Sequence, residues 1–363
     1  MAVAYVMEQG VTLNREGERL VVRKGSTTLH ALHLFKLEQL VVMGNVSLTP
    51  PALTCLLDSG VDTVFMSLNG RYKGRLQSPL SKNITLRCDQ FRRLGDSAFC
   101  LNAARSIVAG KINNLRTALQ RLNRSRETLE LDDHILELKQ LGQKAVEAEN
   151  LEILRGYEGR AAVRYFDGFA RGFLAEGVTF ARRVRRPPTD PVNALLSLGY
   201  TLLFNTVMAA VSLVGFDPYL GCLHTVDYGR PSLPLDLMEE WRPVIVDSLV
   251  LSVFNLKVIT LEDFICTPPS LEEDAPDPLD PLADDEEETE KSQGKNPAAL
   301  PVRLTDTGFR KFITQFERKM GEKVRFHLTD QHFSYRDCIR EQVRHFARVV
   351  RGEEAVYRPV AWR

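Results

Sequence analysis

At about 150 residues per domain, the 363-residue chain is sized for two domains or one large one. Hydrophobic types at 44%, charged types at 26% and aromatics at 8% are ordinary globular values, which excludes a disordered, collagen-like or disulfide-scaffold protein. The overall balance of 47 basic and 47 acidic residues hides an asymmetry: 271–296 holds eleven acids and two lysines, a net of −9, which leaves the rest at 45 against 36, a net of +9.

In chain order, Val11–Arg15 and Arg19–Arg23 flank Glu16-Gly17-Glu18 as a hairpin. Leu37–Val42, Val61–Ser67 and Arg71–Gln77 read as further strands, and only Pro50–Asp58 looks helical in this region. From about residue 89 the period changes to three- and four-residue steps, with helical patterning at 89–122, Leu129–Glu149, Asn150–Gly168, Val192–Phe216, Leu235–Leu256, Thr305–Met320 and Tyr335–Arg351. The expected fold is α+β: a small β-rich domain over 1–77, a linker over 78–88, and a large, mainly α-helical domain over 89–363. Val192–Phe216 has no charge and is long enough to span a bilayer, yet its Asn, Ser, Thr and Gly content favours a buried central helix. The acidic, proline-rich 271–296 reads as a disordered, solvated loop, with DNA mimicry as the other reading.

The cysteines at 55, 88, 100, 222, 266 and 338 show no paired spacing and read as reduced thiols of a cytoplasmic protein. The start reaches Glu8 without a basic region and is not read as a signal peptide. His327, His332, His345 and Cys338 do not fit the spacing of a tetrahedral zinc site.

Glu158, His224, Asp236 and Glu239 are the candidate chemical residues. Asp236 and Glu239 stand three apart, which on a helix gives them one face. One imidazole with two or three carboxylates suits Mg²⁺ or Mn²⁺. Acids at this spacing also occur on solvated faces, but these lie among apolar neighbours, where a carboxylate needs a cation or a shifted pKa. Arg182, Arg183, Arg185 and Arg186 form a basic cluster before Pro187. Arg336, Arg340, Arg344 and Arg348 repeat every fourth residue and form a helical stripe, either phosphate-binding or simply solvated.

Glu158-Gly-Arg-Ala-Ala162, Pro187–Tyr200, His224 and Leu235–Pro243, together with Gly44–Thr49, Asn69–Arg75 and Val108–Asn113, resemble the CRISPR-associated spacer-acquisition integrases, the Cas-one family. The resemblance runs in order over nearly the whole chain. It implies a homodimer joined through the β domains and a metal held by Glu158, His224 and Glu239, with Asp236 as accessory acid. Which of Asp236 and Glu239 is the closer ligand stays open. The implied activity is insertion of short foreign DNA into a CRISPR array by attack of a 3′-hydroxyl, in prokaryotic adaptive immunity. Double-stranded DNA (prespacer and repeat) is the implied substrate, and a small ferredoxin-like CRISPR adaptation protein the implied partner in a hetero-hexamer. A structure-selective endonuclease acting on branched DNA is the alternative, and a non-catalytic DNA-binding scaffold the third reading.

Overall fold

The computed structural model describes residues 2–76, 83–184, 187–224, 228–268 and 300–362. Arg185, Arg186, the first part of the expected linker and the acidic stretch 271–296 lie outside the described residues. The chain divides into two compact units, Met1–Ser81 and Lys82–Arg363.

The first unit holds β1 (Ala2–Val6), β2 (Val11–Glu16), β3 (Arg19–Lys24), β4 (Thr27–His33), β5 (Leu37–Met43), β6 (Val46–Leu48), α1 (Pro50–Asp58), β7 (Asp62–Met66) and β8 (Tyr72–Leu76). One sheet has the order β1-β5-β7-β8, the other β4-β3-β2-β6. The expected hairpin forms with Glu16 opposite Arg19, its turn relying on Gly17 at φ +60°, a conformation open to glycine. Strand β5 pairs in parallel with both β1 and β7, so it is buried along nearly its whole length. Leu13, Leu20, Leu40, Val42 and Leu56 form the core of this unit.

The second unit is mainly helical, completing the expected α+β class. It contains α2 (Ile84–Leu94), α3 (Ser97–Ser125), α4 (Asp132–Val146), α5 (Leu151–Ala170), α6 (Pro191–Val214), α7 (Ser232–Met238), α8 (Ser248–Asn255), α9 (Asp306–Gly321) and α10 (Tyr335–Arg351), with short ribbons β9–β10 and β11–β12 at 264–266/302–304 and 323–325/332–334. Helix α2 begins inside the segment expected to be linker, because Asn83 caps it by accepting from the Leu86 amide. Helix α3 packs against α4 and α5. The uncharged α6 is a core helix, capped by Asp190 at its start and ended by Gly215 at φ +102°.

The pattern expected to be one helix over Leu235–Leu256 is broken. After α7 the chain tightens into a 3₁₀ turn at Glu239–Trp241 and widens into a π-helical turn at Arg242–Asp247 before α8. Pro243 has no amide hydrogen to donate to the Glu239 carbonyl, so the regular ladder cannot pass through this point. Such irregular turns recur where side chains are re-aimed for function.

Candidate active site

Lys111 lies on the buried stripe of α3. Its Nζ donates to Glu158 Oε1 of α5 at 2.6 Å and lies 2.5 Å from Glu239 Oε2 on the 3₁₀ turn. Burial pulls the ammonium towards neutrality, but the two glutamates outweigh it and hold Lys111 above the ordinary lysine range. Arg242 takes the other Glu239 oxygen at 2.8 Å and stacks over the Tyr200 ring. Glu239 is 1% exposed, and its Oε2 makes no hydrogen bond of good geometry, so the contact to Lys111 is ionic only.

Asp236, fully buried, turns elsewhere. Its Oδ2 accepts from the amides of Cys222 (2.5 Å) and Leu223 (3.0 Å), and its Oδ1 from the amide (2.9 Å) and ring Nδ1 (2.7 Å) of His224. The loop can approach this closely because residue 221 is glycine: a Cβ there would lie 2.5 Å from Asp236 Oδ2 and 2.8 Å from the Ser232 carbonyl carbon. Arg155, one turn before Glu158 on α5, donates from Nε to the Leu223 carbonyl at 3.2 Å and ties the loop to that helix.

This arrangement corrects one expectation. Asp236 and Glu239 do not share a set of partners, because regular helix ends at Met238 and the tightened turn re-aims Glu239. As the side chains stand, among the described residues no three His, Cys, Asp or Glu side chains form a metal-type cluster. Instead, Glu158 and Glu239 converge on Lys111, and His224 pairs with Asp236. The donors still suit a hard divalent cation, since two carboxylates already surround one positive centre and Glu239 Oε2 has coordination capacity unused by hydrogen bonding.

Sequence patterning missed Lys111, Arg242 and Asp247. A lysine set in the apolar stripe of α3 was the available signal for the first. Asp247 accepts from Tyr200 Oη at 2.6 Å, and burial pushes its carboxyl up to about 6 against the pull of Tyr200, Tyr165, Arg242 and Arg183. An acid whose folded pKa is raised binds more protons folded than unfolded between about pH 4 and 6, so its contribution to stability falls as pH rises through that window. Wild type is therefore expected to lose up to about 3 kcal/mol relative to Asp247→Asn between pH 4 and 7, with little further change above. Denaturant titrations of both proteins across that range check this; parallel curves contradict it.

The arginine clusters are largely engaged. Arg336 pairs with Glu317 at 2.7 Å, Arg340 with Asp337 at 3.1 Å, Arg344 with Glu341, and Arg348 with Glu354 at 2.5 Å, so the stripe on α10 carries its own counter-charges. Arg183 donates to Asn193 Oδ1 and Ser197 Oγ at 2.8 and 2.9 Å and faces the Tyr200 ring. Arg182 is exposed. His345 is buried, with Nδ1 3.0 Å from Glu354 and Nε2 accepting from the Arg358 amide at 2.9 Å.

The model of the family described as "CRISPR associated protein Cas1" matches residues 4–271. The "CRISPR-associated endonuclease Cas1 3" of Thermus thermophilus is 37% identical over 365 residues, spanning 100% of this chain and 98% of its own. A solved "Casposase bound to integration product" shares the fold at a TM-score of 0.81 and 20% identity, over 100% of this chain and 95% of that one. A chain of a "Cas6-RT-Cas1--Cas2 complex" does so at 0.79 and 23%, over 99% of this chain and 36% of that one. With a family match over most of its length and a relative aligned from end to end, this chain belongs to the Cas1 family of CRISPR-associated proteins.

Proposed function

We propose that this chain is a metal-dependent DNA integrase that inserts short foreign DNA fragments into a CRISPR array, the fragment's 3′-hydroxyl attacking a phosphodiester at a repeat boundary. The observation that carries the reading is the convergence of Glu158 and Glu239, 81 positions apart in sequence, on one buried cationic centre. Glu158, Glu239 and His224 would hold Mg²⁺ or Mn²⁺, which when bound polarises the phosphodiester and offsets charge on the leaving oxygen. Asp236 keeps the proton of His224 on Nδ1 and so leaves the ring's lone pair on Nε2. Arg242 fixes the Glu239 carboxylate from its other side. Exchange of one phosphodiester for another consumes no nucleotide cofactor.

The likeness to a casposase bound to an integration product supports DNA integration as the reaction; double-stranded prespacer and repeat as the substrates rest on the family resemblance. The likeness to a chain of the Cas6-RT-Cas1–Cas2 complex supports a CRISPR-associated partner protein; that this partner is small, of ferredoxin-like fold, and bridges homodimers into a hetero-hexamer rests on the family resemblance alone. Arginines 336, 340, 344 and 348 reach phosphates in this scheme only by exchanging their acidic partners.

His224→Ala and Glu239→Gln are each expected to lower strand joining in Mn²⁺ at least about a hundredfold while retaining most DNA binding. Undiminished joining by either variant removes that residue from the mechanism. The name endonuclease borne by the Thermus relative favours a second reading, with water as nucleophile on branched DNA. Offering branched DNA beside prespacer plus repeat and comparing the products separates the two.

A further inference from the structure

We propose that Lys111 is a resident counter-ion: its ammonium holds Glu158 and Glu239 together in the metal-free protein, and a divalent cation enters by displacing it. The inference rests on the metal reading above and extends it to a residue outside the ligand set.

Three observations carry it. The ammonium sits on the two oxygens that face each other, Glu158 Oε1 at 2.6 Å and Glu239 Oε2 at 2.5 Å. Arg242 by contrast binds Glu239 Oε1, the oxygen that Lys111 does not contact. A divalent ion held by both glutamates would therefore compete with Lys111 for them and could leave the Arg242 contact in place. The site is also nearly dry, the side chains of Lys111, Glu158 and Glu239 being 11%, 16% and 1% exposed. Two carboxylates brought together there without a cation repel each other in a medium that screens weakly. Finally, among the four side chains in direct contact the charges match, Glu158 and Glu239 against Lys111 and Arg242. Adding a divalent ion without moving an ammonium would leave an excess of two positive charges in a buried pocket.

The consequence is a built-in threshold. Metal affinity is lowered by the cost of expelling Lys111, and the glutamates stay aligned when metal is scarce. Released from the carboxylates, the ammonium stays tethered to α3 beside the metal site, where it can meet a phosphate oxygen of bound DNA.

The test compares wild type, Lys111→Met and Arg242→Met by Mn²⁺ titration, read as free Mn²⁺ by electron paramagnetic resonance, and by thermal melting in EDTA and in Mn²⁺. Lys111→Met is expected to bind Mn²⁺ on the order of tenfold more tightly than wild type, to melt lower in EDTA and to recover with Mn²⁺. Arg242→Met removes the same charge without freeing the bridging oxygens, and its gain is expected to stay under about threefold. Equal affinity in wild type and Lys111→Met overturns the displacement while leaving the metal reading intact. Equal tightening in both variants overturns it too, since bulk charge alone would then explain the effect. Absence of Mn²⁺ binding in all three proteins overturns the metal reading and the displacement together. Folding of Lys111→Met only in Mn²⁺ supports the proposal. If it folds in neither condition, Lys111→Arg replaces it and is expected to melt like wild type in EDTA; tight Mn²⁺ binding by Lys111→Arg overturns the competition.

Discussion

Asp236→Asn is expected to lower strand joining about 10- to 100-fold and to destabilise the helical unit by about 2–4 kcal/mol. Both effects follow from one count of donors and acceptors. The Asp236 carboxylate accepts four N–H groups, two on each oxygen: the amides of Cys222 and Leu223 on one, the amide and Nδ1 of His224 on the other. An asparagine side chain offers one oxygen and one amino group, so in either orientation two donors face a donor. If the amino group faces the Cys222 and Leu223 amides, two buried N–H groups lose their partner, at about 1–3 kcal/mol each. If it faces His224, Nδ1 becomes an acceptor and the proton moves to Nε2, the nitrogen that the proposed metal site would use. A stability loss alone would vanish well below the melting temperature. The rate loss is expected to persist there and to be accompanied by a changed His224 tautomer in ¹⁵N NMR. Full activity at low temperature would show that Asp236 merely supports the loop.

The sequence showed more of the fold than of the site, for physical reasons visible in particular residues. The β2–β3 hairpin and α1 were legible because their patterning is local: a glycine turn between short strands, and two prolines opening a helix. Strand β4 was missed because Thr27–His33 is an almost wholly exposed edge without apolar alternation, held only by its backbone pairing to β3. The helix predicted across Leu235–Leu256 hid the break at Pro243, since nearly every residue there is buried and periodicity loses its contrast. That break in turn hid the separate aims of Asp236 and Glu239. The arginine stripe was legible as a stripe but not as paired, because Glu317 and Glu354 come from a different helix and from the chain beyond α10. Lys111 escaped because a buried lysine takes its meaning from partners 47 and 128 residues away.

Glu240→Ala is expected to cost about 3 kcal/mol or more, roughly 5–10 °C in melting temperature, and to reduce strand joining as well. Glu240 is fully buried next to Glu239 on the 3₁₀ turn and points away from the site, accepting from the Tyr357 hydroxyl and, at 2.6 Å, from the Val360 amide. Asn114 closes the same strap: its Nδ2 donates to the carbonyls of Glu240 and Val360, both at 2.9 Å, while its Oδ1 accepts from the Trp362 amide at 3.0 Å. Gln342 adds bonds to Tyr357 Oη and the Arg358 carbonyl at 2.8 and 2.9 Å. The segment 357–362 is thus laid across α3 at Gly110, where a Cβ would come within 2.3 Å of Pro359 Cβ. Gly110 directly precedes Lys111, and Glu240 directly follows Glu239, so the strap fixes the backbone on both sides of the ion pair. Truncating Glu240 takes the acceptor away from the Val360 amide and from the Tyr357 O–H in a dry interior, which is the source of the large cost. With the strap loosened, α3 and the 3₁₀ turn lose their common clamp, and Lys111 and Glu239 drift apart. Gly110→Ala reaches the same end from the opposite side, by pushing Pro359 off the helix while every hydrogen-bonding group remains. Calorimetric melts and joining assays on both variants are therefore expected to fall together, and a destabilised Glu240→Ala that joins DNA at the wild-type rate below its transition would show the strap to be structural alone.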